Sequence, residues 1–454
     1  MVSVPRLVVA GTGSGVGKTT VATGLMAALG RGGSRVAGFK VGPDFIDPSY
    51  HALATGRPGR NLDCFLSGPD LVAPLFAHGS RAADVAVVEG VMGLFDGKSG
   101  GGELASTAHV AKLLRAPVVL VVDAAAMARS AAAVVHGFTS FDSDLRVAAV
   151  VLNRVASERH EATLREALAP LGIPVVGTLR RDDGLASPER YLGLVPVAER
   201  RRVAARTVEK LGAAVAGACD LEALMALARS APTLSVAAWD PRDAVAGGVP
   251  TRARVAVARG PAFSFLYEEN LELLAAAGAQ PVEFDPLRDA ALPADVGALY
   301  LGGGFPEQFA SELSANVPLR VAVAGFARSG RPVIAECGGL LYLGRELDGM
   351  PMCGVIDARG RMTESLKLGY REAVAVAGSP LCDPGARLRA HEFHYSMIDP
   401  AAGSTPAWTL GGRHEGFLAG GVHASYLHTH WAATPMVAGR LARTAAGGPA
   451  EVAA

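Results

Sequence analysis

The chain has 454 residues, half of them hydrophobic and 19% charged, with 43 Lys and Arg balanced by 43 Asp and Glu. This length exceeds one ordinary core and predicts two domains. The zero formal charge leaves no footprint for nucleic acid or an anionic membrane, and the longest apolar stretches, such as Ala116–Met127 with Asp123 inside it, are too short to span a bilayer.

A small-molecule partner is therefore expected. No charged-then-apolar leader precedes the first strand, so a cytoplasmic location is expected too. Five cysteines without CxxC or framework spacing read as reduced thiols.

Short β-branched runs alternate with amphipathic ones over the first 190 residues. Leu7–Ala10, Arg35–Val41, Val85–Val88, Val118–Val122, Val147–Leu152 and Val175–Leu179 predict buried parallel strands. After the first run comes Gly11-Thr12-Gly13-Ser14-Gly15-Val16-Gly17-Lys18-Thr19-Thr20. Val21, Leu25, Met26 and Leu29 then fall on one helical face. A strand, a glycine-rich loop and a helix N-terminus aim backbone N–H groups at an anion. Lys18 is placed to reach outer phosphates, and the Thr19 hydroxyl to ligate Mg²⁺. The spacing departs from the usual loop, because Thr12 stands where a glycine is expected and Gly11 is one position early.

Two acidic segments follow, Lys40-Val41-Gly42-Pro43-Asp44-Phe45-Ile46-Asp47-Pro48 and Glu89-Gly90-Val91-Met92-Gly93-Leu94-Phe95-Asp96-Gly97. Both are expected beyond the carboxyl ends of strands, where open α/β sheets bind ligands. Hard oxygens there suit Mg²⁺, with Asp44 and Glu89 joining Thr19 as candidate ligands. Asn153, ending its strand, is placed to touch the nucleotide base.

The pattern then changes. A charged helix over Ala198–Leu211 and an alanine-rich helix over Leu221–Ala231 read as a helical linker spanning 195–250. An α/β pattern restarts with strand Val255–Ala258, helix Glu268–Ala276, strands Val282–Phe284 and Ala298–Leu301, helix Leu319–Ser329 and strand Val333–Ala335. Tyr370–Val376, His391–Met397 and Phe417–Tyr426 alternate and predict antiparallel strands. This second domain is expected over 251–445, with a frayed tail over 446–454.

Cys337 leaves a predicted buried strand and enters Gly338-Gly339 and a helix start. Such a bend exposes the sulfur at a helix N-terminus, which favours a thiolate nucleophile. The Gly338 N–H would face a developing oxyanion, with a second donor from Gly303 or Gly304 at the end of the strand Ala298–Leu301. The base should be a distant histidine. His428 is the choice, and His391 or His394 the alternative.

Taken together, these segments resemble the cobyrinate or hydrogenobyrinate a,c-diamide synthase family. The resemblance covers nearly the whole chain and rests on Lys40–Pro48, Glu89–Gly97, Glu336–Gly339 and His391-Glu392-Phe393-His394-Tyr395-Ser396. It implies two doubly wound α/β domains. The first, over 1–194, is a P-loop ATPase like dethiobiotin synthetase; the second is a class I glutamine amidotransferase. The implied activity is ATP- and glutamine-dependent amidation of the a and c acetates of a corrin-type tetrapyrrole. In that scheme Cys337 forms a thioester with glutamine, His428 activates the thiol, and ammonia passes to an acyl phosphate. ATP and Mg²⁺ are required, and a homodimer is compatible with the reading.

By the same resemblance Asp44, Asp47, Glu89 and Asp96 handle metal, ATP or substrate, and Phe45, Leu94 and Phe95 meet the macrocycle. The usual third triad position is a glutamate, whereas this chain has His430, which leaves open what orients His428. The Ala- and Gly-rich composition leans toward a metal-free macrocycle. Alternatives are cobyric acid synthase, sirohydrochlorin a,c-diamide synthase, or a partition-type regulatory P-loop ATPase with a degenerate glutaminase-like domain. The intact Cys337 and His428 and the lack of a basic surface oppose the last.

Overall fold

The computed structural model describes residues 1–181, 189–190, 193–194, 197–198, 200–245 and 253–447. The chain forms two compact units, Met1–Trp239 and Asp240–Ala454. Among the described residues no helix is long and apolar enough to cross a membrane.

In the first unit, strands β1 (Arg6–Gly11), β2 (Val36–Val41), β3 (Arg60–Leu62), β4 (Val85–Glu89), β5 (Val118–Asp123), β6 (Val147–Val155) and β7 (Val175–Arg180) form one parallel sheet. Their order is β3-β2-β4-β1-β5-β6-β7. The β1 and β4 runs are buried throughout because both faces of the sheet are covered, which is why they read as continuous apolar stretches. The helices are α1 (Lys18–Arg31), α2 (Ile46–Thr55), α3 (Pro69–Gly79), α4 (Thr107–Leu113), α5 (Ser130–Ser140) and α6 (Glu158–Leu168). A two-stranded pair, β8 (Glu189–Arg190) and β9 (Gly193–Leu194), follows.

The segment expected to be a linker from residue 195 behaves differently. Its helices α7 (Arg201–Ala218) and α8 (Leu221–Arg229) are part of the first unit. Val215 and Leu224 join the core of β1 and α1, and a Cβ on Gly24 of α1 would lie 2.7 Å from the Leu211 carbonyl. Amphipathic burial, invisible in the charged residues of the segment, is what draws these helices in. Val2 and Leu234 then exchange both backbone hydrogen bonds at 2.9 Å, so the unit's first and last segments meet. The Gly-Gly-Val-Pro stretch and the tail from 448 lie outside the described residues.

The second unit opens with α9 (Pro241–Ala244). Its main sheet contains β10 (Arg254–Ala258), β11 (Gln280–Phe284), β12 (Val296–Leu301) and β13 (Val333–Glu336), separated by α10 (Glu268–Ala276), α11 (Ala310–Ala315) and α12 (Val317–Arg328). After α13 (Gly338–Leu343) come the short strands β14 (Glu346–Leu347) and β15 (Met350–Pro351). A long antiparallel hairpin follows, β16 (Arg359–Ala375) with β17 (Arg387–Asp399). The remaining elements are β18 (Trp408–Leu410), β19 (Arg413–Glu415), β20 (Phe417–Ala419), β21 (Val422–Ser425), β22 (His428–Thr429) and α14 (Met436–Ala445). The main sheet runs β11-β10-β12-β13-β21-β20; a second sheet runs β15-β14-β16-β17-β22. The stretch Phe417–Tyr426, expected as one strand, turns back on itself as the antiparallel pair β20 and β21.

Candidate active sites

The phosphate loop joins β1 to α1. Gly17 has φ of 98°, and a Cβ there would lie 2.1 Å from Asn153 Nδ2, so both backbone and space require glycine. The Asn153 amide donates to the Val16 carbonyl at 2.9 Å. Asn153, expected at the base, thus braces the loop itself. Lys18 Nζ donates to the Gly13 carbonyl at 2.7 Å, folded over the loop where phosphates would lie. Burial, then the Lys40 charge, lowers its pKa to about 8.

Behind Lys18 sits a buried charged cluster. Lys40 Nζ lies 2.6 Å from Asp47 Oδ2 and 2.9 Å from Glu89 Oε1. The Thr19 hydroxyl donates to Glu89 Oε1 at 2.5 Å, and His51 Nε2 lies 2.6 Å from Glu89 Oε2. Burial opposes the charge of Lys40, but Asp47 and Glu89 outweigh it and raise its pKa. Burial likewise opposes the Glu89 charge, yet Lys40 and His51 hold its carboxyl well below the usual range. Asp47 moves the other way, raised by burial and by the neighbouring Asp44 and Glu89. Lys40 and His51 received no role from the sequence; the signal was a lysine inside an otherwise buried strand run.

The expected Mg²⁺ ligands converge only in part. Thr19 and Glu89 meet, and Asp47 Oδ2 lies 3.5 Å from the Thr19 hydroxyl. Asp44 instead accepts from the Ile46 and Asp47 backbone N–H groups at 2.7 and 3.2 Å, capping α2. Among the described residues no three or more acidic, imidazole or thiol groups form a metal site by themselves. The hydroxyl–carboxylate pair fits a cation that takes its other oxygens from phosphate and water.

Asp96 Oδ2 accepts from the Gly93 N–H at 2.8 Å, and the Leu94 N–H donates to the Gly11 carbonyl at 2.9 Å, tying this loop to the phosphate loop. Leu94 and Phe45, expected at the macrocycle, are buried among core residues. Phe95 remains partly exposed, with ring centroids 5.7 Å from Phe138 and 4.7 Å from Phe141, whose side chain is 74% exposed.

In the second unit Cys337 joins β13 to α13 with φ of 50° and ψ of −100°. Such a conformation costs a non-glycine residue about 1–3 kcal/mol and is typical of a strained nucleophile turn. Its N–H donates to the Ser425 carbonyl at 2.8 Å and its thiol to the Phe393 carbonyl at 3.8 Å. Burial, then the Glu307 charge, pushes the thiol pKa far up. His428 is fully buried, and burial lowers its pKa to about 3. Its strand pairs with β17 in the register His391 opposite His428, which explains why the alternative histidine lies nearby.

Gly303 and His428 are in close approach, since a Cβ on Gly303 would lie 2.3 Å from His428 Cε1. The expected oxyanion role of the Gly303 N–H is corrected by the structure. That N–H donates to the Phe265 carbonyl at 3.1 Å in a β-bridge. Gly304 nitrogen, by contrast, lies 3.1 Å from where a Gly338 Cβ would stand, so these two amides are neighbours at the turn.

His394 stacks on Tyr426 with centroids 3.6 Å apart, and its Nε2 lies 3.2 Å from Glu392 Oε1. Glu392 also accepts from Arg371 at 2.7 Å and Arg413 at 3.3 Å. His430, in the position where a glutamate was sought, lies 3.6 Å from Glu269 of α10.

Two family profiles divide the chain as the geometry does. Residues 7–194 match the CobQ/CobB/MinD/ParA nucleotide binding domain, and residues 254–436 match the CobB/CobQ-like glutamine amidotransferase domain. A hydrogenobyrinate a,c-diamide synthase of Streptomyces coelicolor is 58% identical, covering 96% of this chain and 97% of the relative. One from Thermobifida fusca is 53% identical, covering 96% of each. The chain belongs to the a,c-diamide synthase family. A cobyrinate a,c-diamide synthase of Synechococcus is 44% identical, covering 94% of this chain and 96% of the relative. Membership makes this chain a glutamine-dependent, amide-forming ligase with a nucleotide-binding α/β domain and an amidotransferase domain.

Proposed function

We propose that the enzyme converts hydrogenobyrinic acid to its a,c-diamide in cobalamin biosynthesis, using ATP and glutamine. The observation that supports this reading is that one family member carries both the Lys18–Thr19–Glu89 cradle in one unit and, in the other, the strained Cys337 turn together with His428 packed against Gly303. Identity of 58% and 53% to hydrogenobyrinate relatives, against 44% to a cobyrinate relative, favours the metal-free macrocycle.

A carboxylate is a poor acyl donor to ammonia, whereas an acyl phosphate is a good one. In the first unit the loop amides and Lys18 cradle the ATP phosphates while an acetate oxygen attacks the γ-phosphorus, the β–γ bridging bond breaks, and ADP leaves behind the acyl phosphate. Mg²⁺ would be held by Thr19 and Glu89, with Asp47 beside them, and would supply charge neutralisation for the transferring phosphoryl group. The cluster of Phe95, Phe138 and Phe141 offers an apolar contact for a macrocycle beside the Asp96 loop.

In the second unit Cys337 attacks the glutamine amide carbon. His428 takes the thiol proton and gives it to the departing ammonia. Gly338 and Gly304 amides stabilise the oxyanion, and water then hydrolyses the thioester to glutamate. Ammonia displaces phosphate from the acyl phosphate. Burial favours the neutral form of both the thiol and the imidazole.

Mass spectrometry of products tests the reading. Protein, ATP, Mg²⁺ and glutamine are incubated with hydrogenobyrinic or cobyrinic acid in parallel. Each amidation lowers the mass by about one dalton, since an amino group replaces a hydroxyl. Two such steps on the metal-free substrate are expected. Two steps only on the cobalt form would reverse the substrate assignment; none on either, with glutamine still hydrolysed, would discard it.

A further inference from the structure

The carboxylate immediately before the candidate nucleophile has no part in the steps above. Glu336 ends β13 and is buried. Its Oε1 accepts from both the Thr429 N–H at 3.1 Å and the Thr429 hydroxyl at 2.6 Å. Its Oε2 accepts from the Tyr300 hydroxyl at 3.2 Å. Thr429 directly follows His428. The Thr429 hydroxyl oxygen accepts from the Trp431 indole at 2.9 Å, and the Thr429 carbonyl from Asn270 Nδ2 at 3.0 Å. Asn270 Oδ1 in turn accepts from the Trp431 N–H at 2.9 Å.

This network joins elements that no backbone ladder joins. Strand β13, which ends beside the thiol, belongs to the main sheet; β22, which carries the imidazole, belongs to the second sheet. Glu336 bridges the two through the residue before one reacting group and the residue after the other. A buried carboxylate is costly unless its lone pairs are filled, and here three donors fill them. An apolar side chain would occupy the same space without gripping Thr429.

We infer that Glu336 is a positioning residue for glutamine hydrolysis, setting the separation of the Cys337 thiol and the His428 imidazole through its hold on Thr429. The inference rests on the reading of Cys337 and His428 as nucleophile and base. It supplies an orienting group through Thr429, the residue after His428, where the usual third carboxylate is replaced by His430.

Steady-state glutamine hydrolysis and ammonium-driven amidation are measured for the full chain and for Glu336→Ala, Glu336→Gln, Thr429→Val and the double variant Glu336→Ala/Thr429→Val. Misplacing a reacting pair by an ångström costs about 10²-fold, so that loss in kcat is expected for Glu336→Ala. Its KM for glutamine should stay within about twofold, the mark of an interaction that serves the reaction rather than binding. Ammonium-driven amidation should persist. The amide oxygen of Glu336→Gln still accepts from Thr429, which should restore kcat to within about tenfold of the parent. The double variant should be no worse than Glu336→Ala, because both remove one contact.

Unchanged kcat in Glu336→Ala, equal loss in Glu336→Gln and Glu336→Ala, or equal loss of the ammonium reaction would overturn the inference. Should Glu336→Ala fail to fold, Thr429→Val decides, and parental kcat there also overturns it. A parent protein that hydrolyses no glutamine, or a Cys337→Ala variant that still does, would instead refute the underlying assignment.

Discussion

The two sites treat burial in opposite ways. Around Lys40 and Glu89, burial is answered by opposite charge at 2.9 Å, so both groups remain ionised in a dry place. Around Cys337 and His428 burial is the largest influence, and it pushes both groups toward their neutral forms. The difference matches the chemistry proposed for each. Phosphoryl transfer needs standing charge placed before the substrate arrives. Attack on an amide by a thiol needs a proton to move during the step.

The largest test of this contrast is Cys337→Ala. Glutamine-dependent amidation should fall by about 10⁴-fold or more, while amidation driven by ammonium persists, as read from product masses. Loss of both would mean that the thiol holds structure, and the contrast would collapse. Next, Glu89→Gln should remove the charge that Lys40 and His51 face and destabilise the first unit by about 3 kcal/mol, read by urea unfolding. A neutral result would show that Asp47 alone can compensate Lys40.

A matched pair of glycine variants sharpens the separation. Gly17→Ala would drive a Cβ to 2.1 Å from Asn153 Nδ2, and Gly303→Ala one to 2.3 Å from His428 Cε1. Each should lower its own half-reaction by about 10²-fold, ATP turnover in one and glutamine hydrolysis in the other. Cross-effects of equal size would contradict two independent sites.

The smallest expected effect concerns Lys18, whose pKa near 8 lies below the ordinary lysine value because of burial. Phosphate binding requires the charged form. Below pH 8 that form is already present; above it, binding must take up a proton, and ATP affinity should weaken by up to about tenfold per pH unit. Calorimetry at pH 9 in buffers of different ionisation enthalpy should register that uptake, and its absence would place the lysine pKa higher.

Much of the first site could be read from residues alone, because a phosphate cradle is contiguous and its strand is buried on both faces. Asn153 was read from its position, whereas its hydrogen bond to the Val16 carbonyl, across 137 residues of sequence, could not be. The backbone contacts of Asp44 were hidden for a similar reason. Which of two nearby aspartates caps α2 depends on where the backbone turns, not on residue type. The second candidate site is drawn from segments more than 150 residues apart, such as Phe265 and His428, so the residues that hold Cys337 and His428 could not be read from their neighbours in sequence. Gly303 was chosen as an amide donor, yet that amide is already committed to Phe265. Glu336 stood beside the cysteine in plain view, but its partner Thr429 belongs to another sheet. The hairpin of β16 and β17 was seen only in fragments, since one exposed face leaves no continuous apolar run.

The reciprocal bonds between Val2 and Leu234 bring the opening and closing segments of the first unit to one spot. A module whose two ends coincide can be spliced to a neighbour, or cut from it, by a single genetic junction and without rethreading its sheet. The same geometry makes this unit a natural substrate for circular permutation, with new openings placed in any exposed turn.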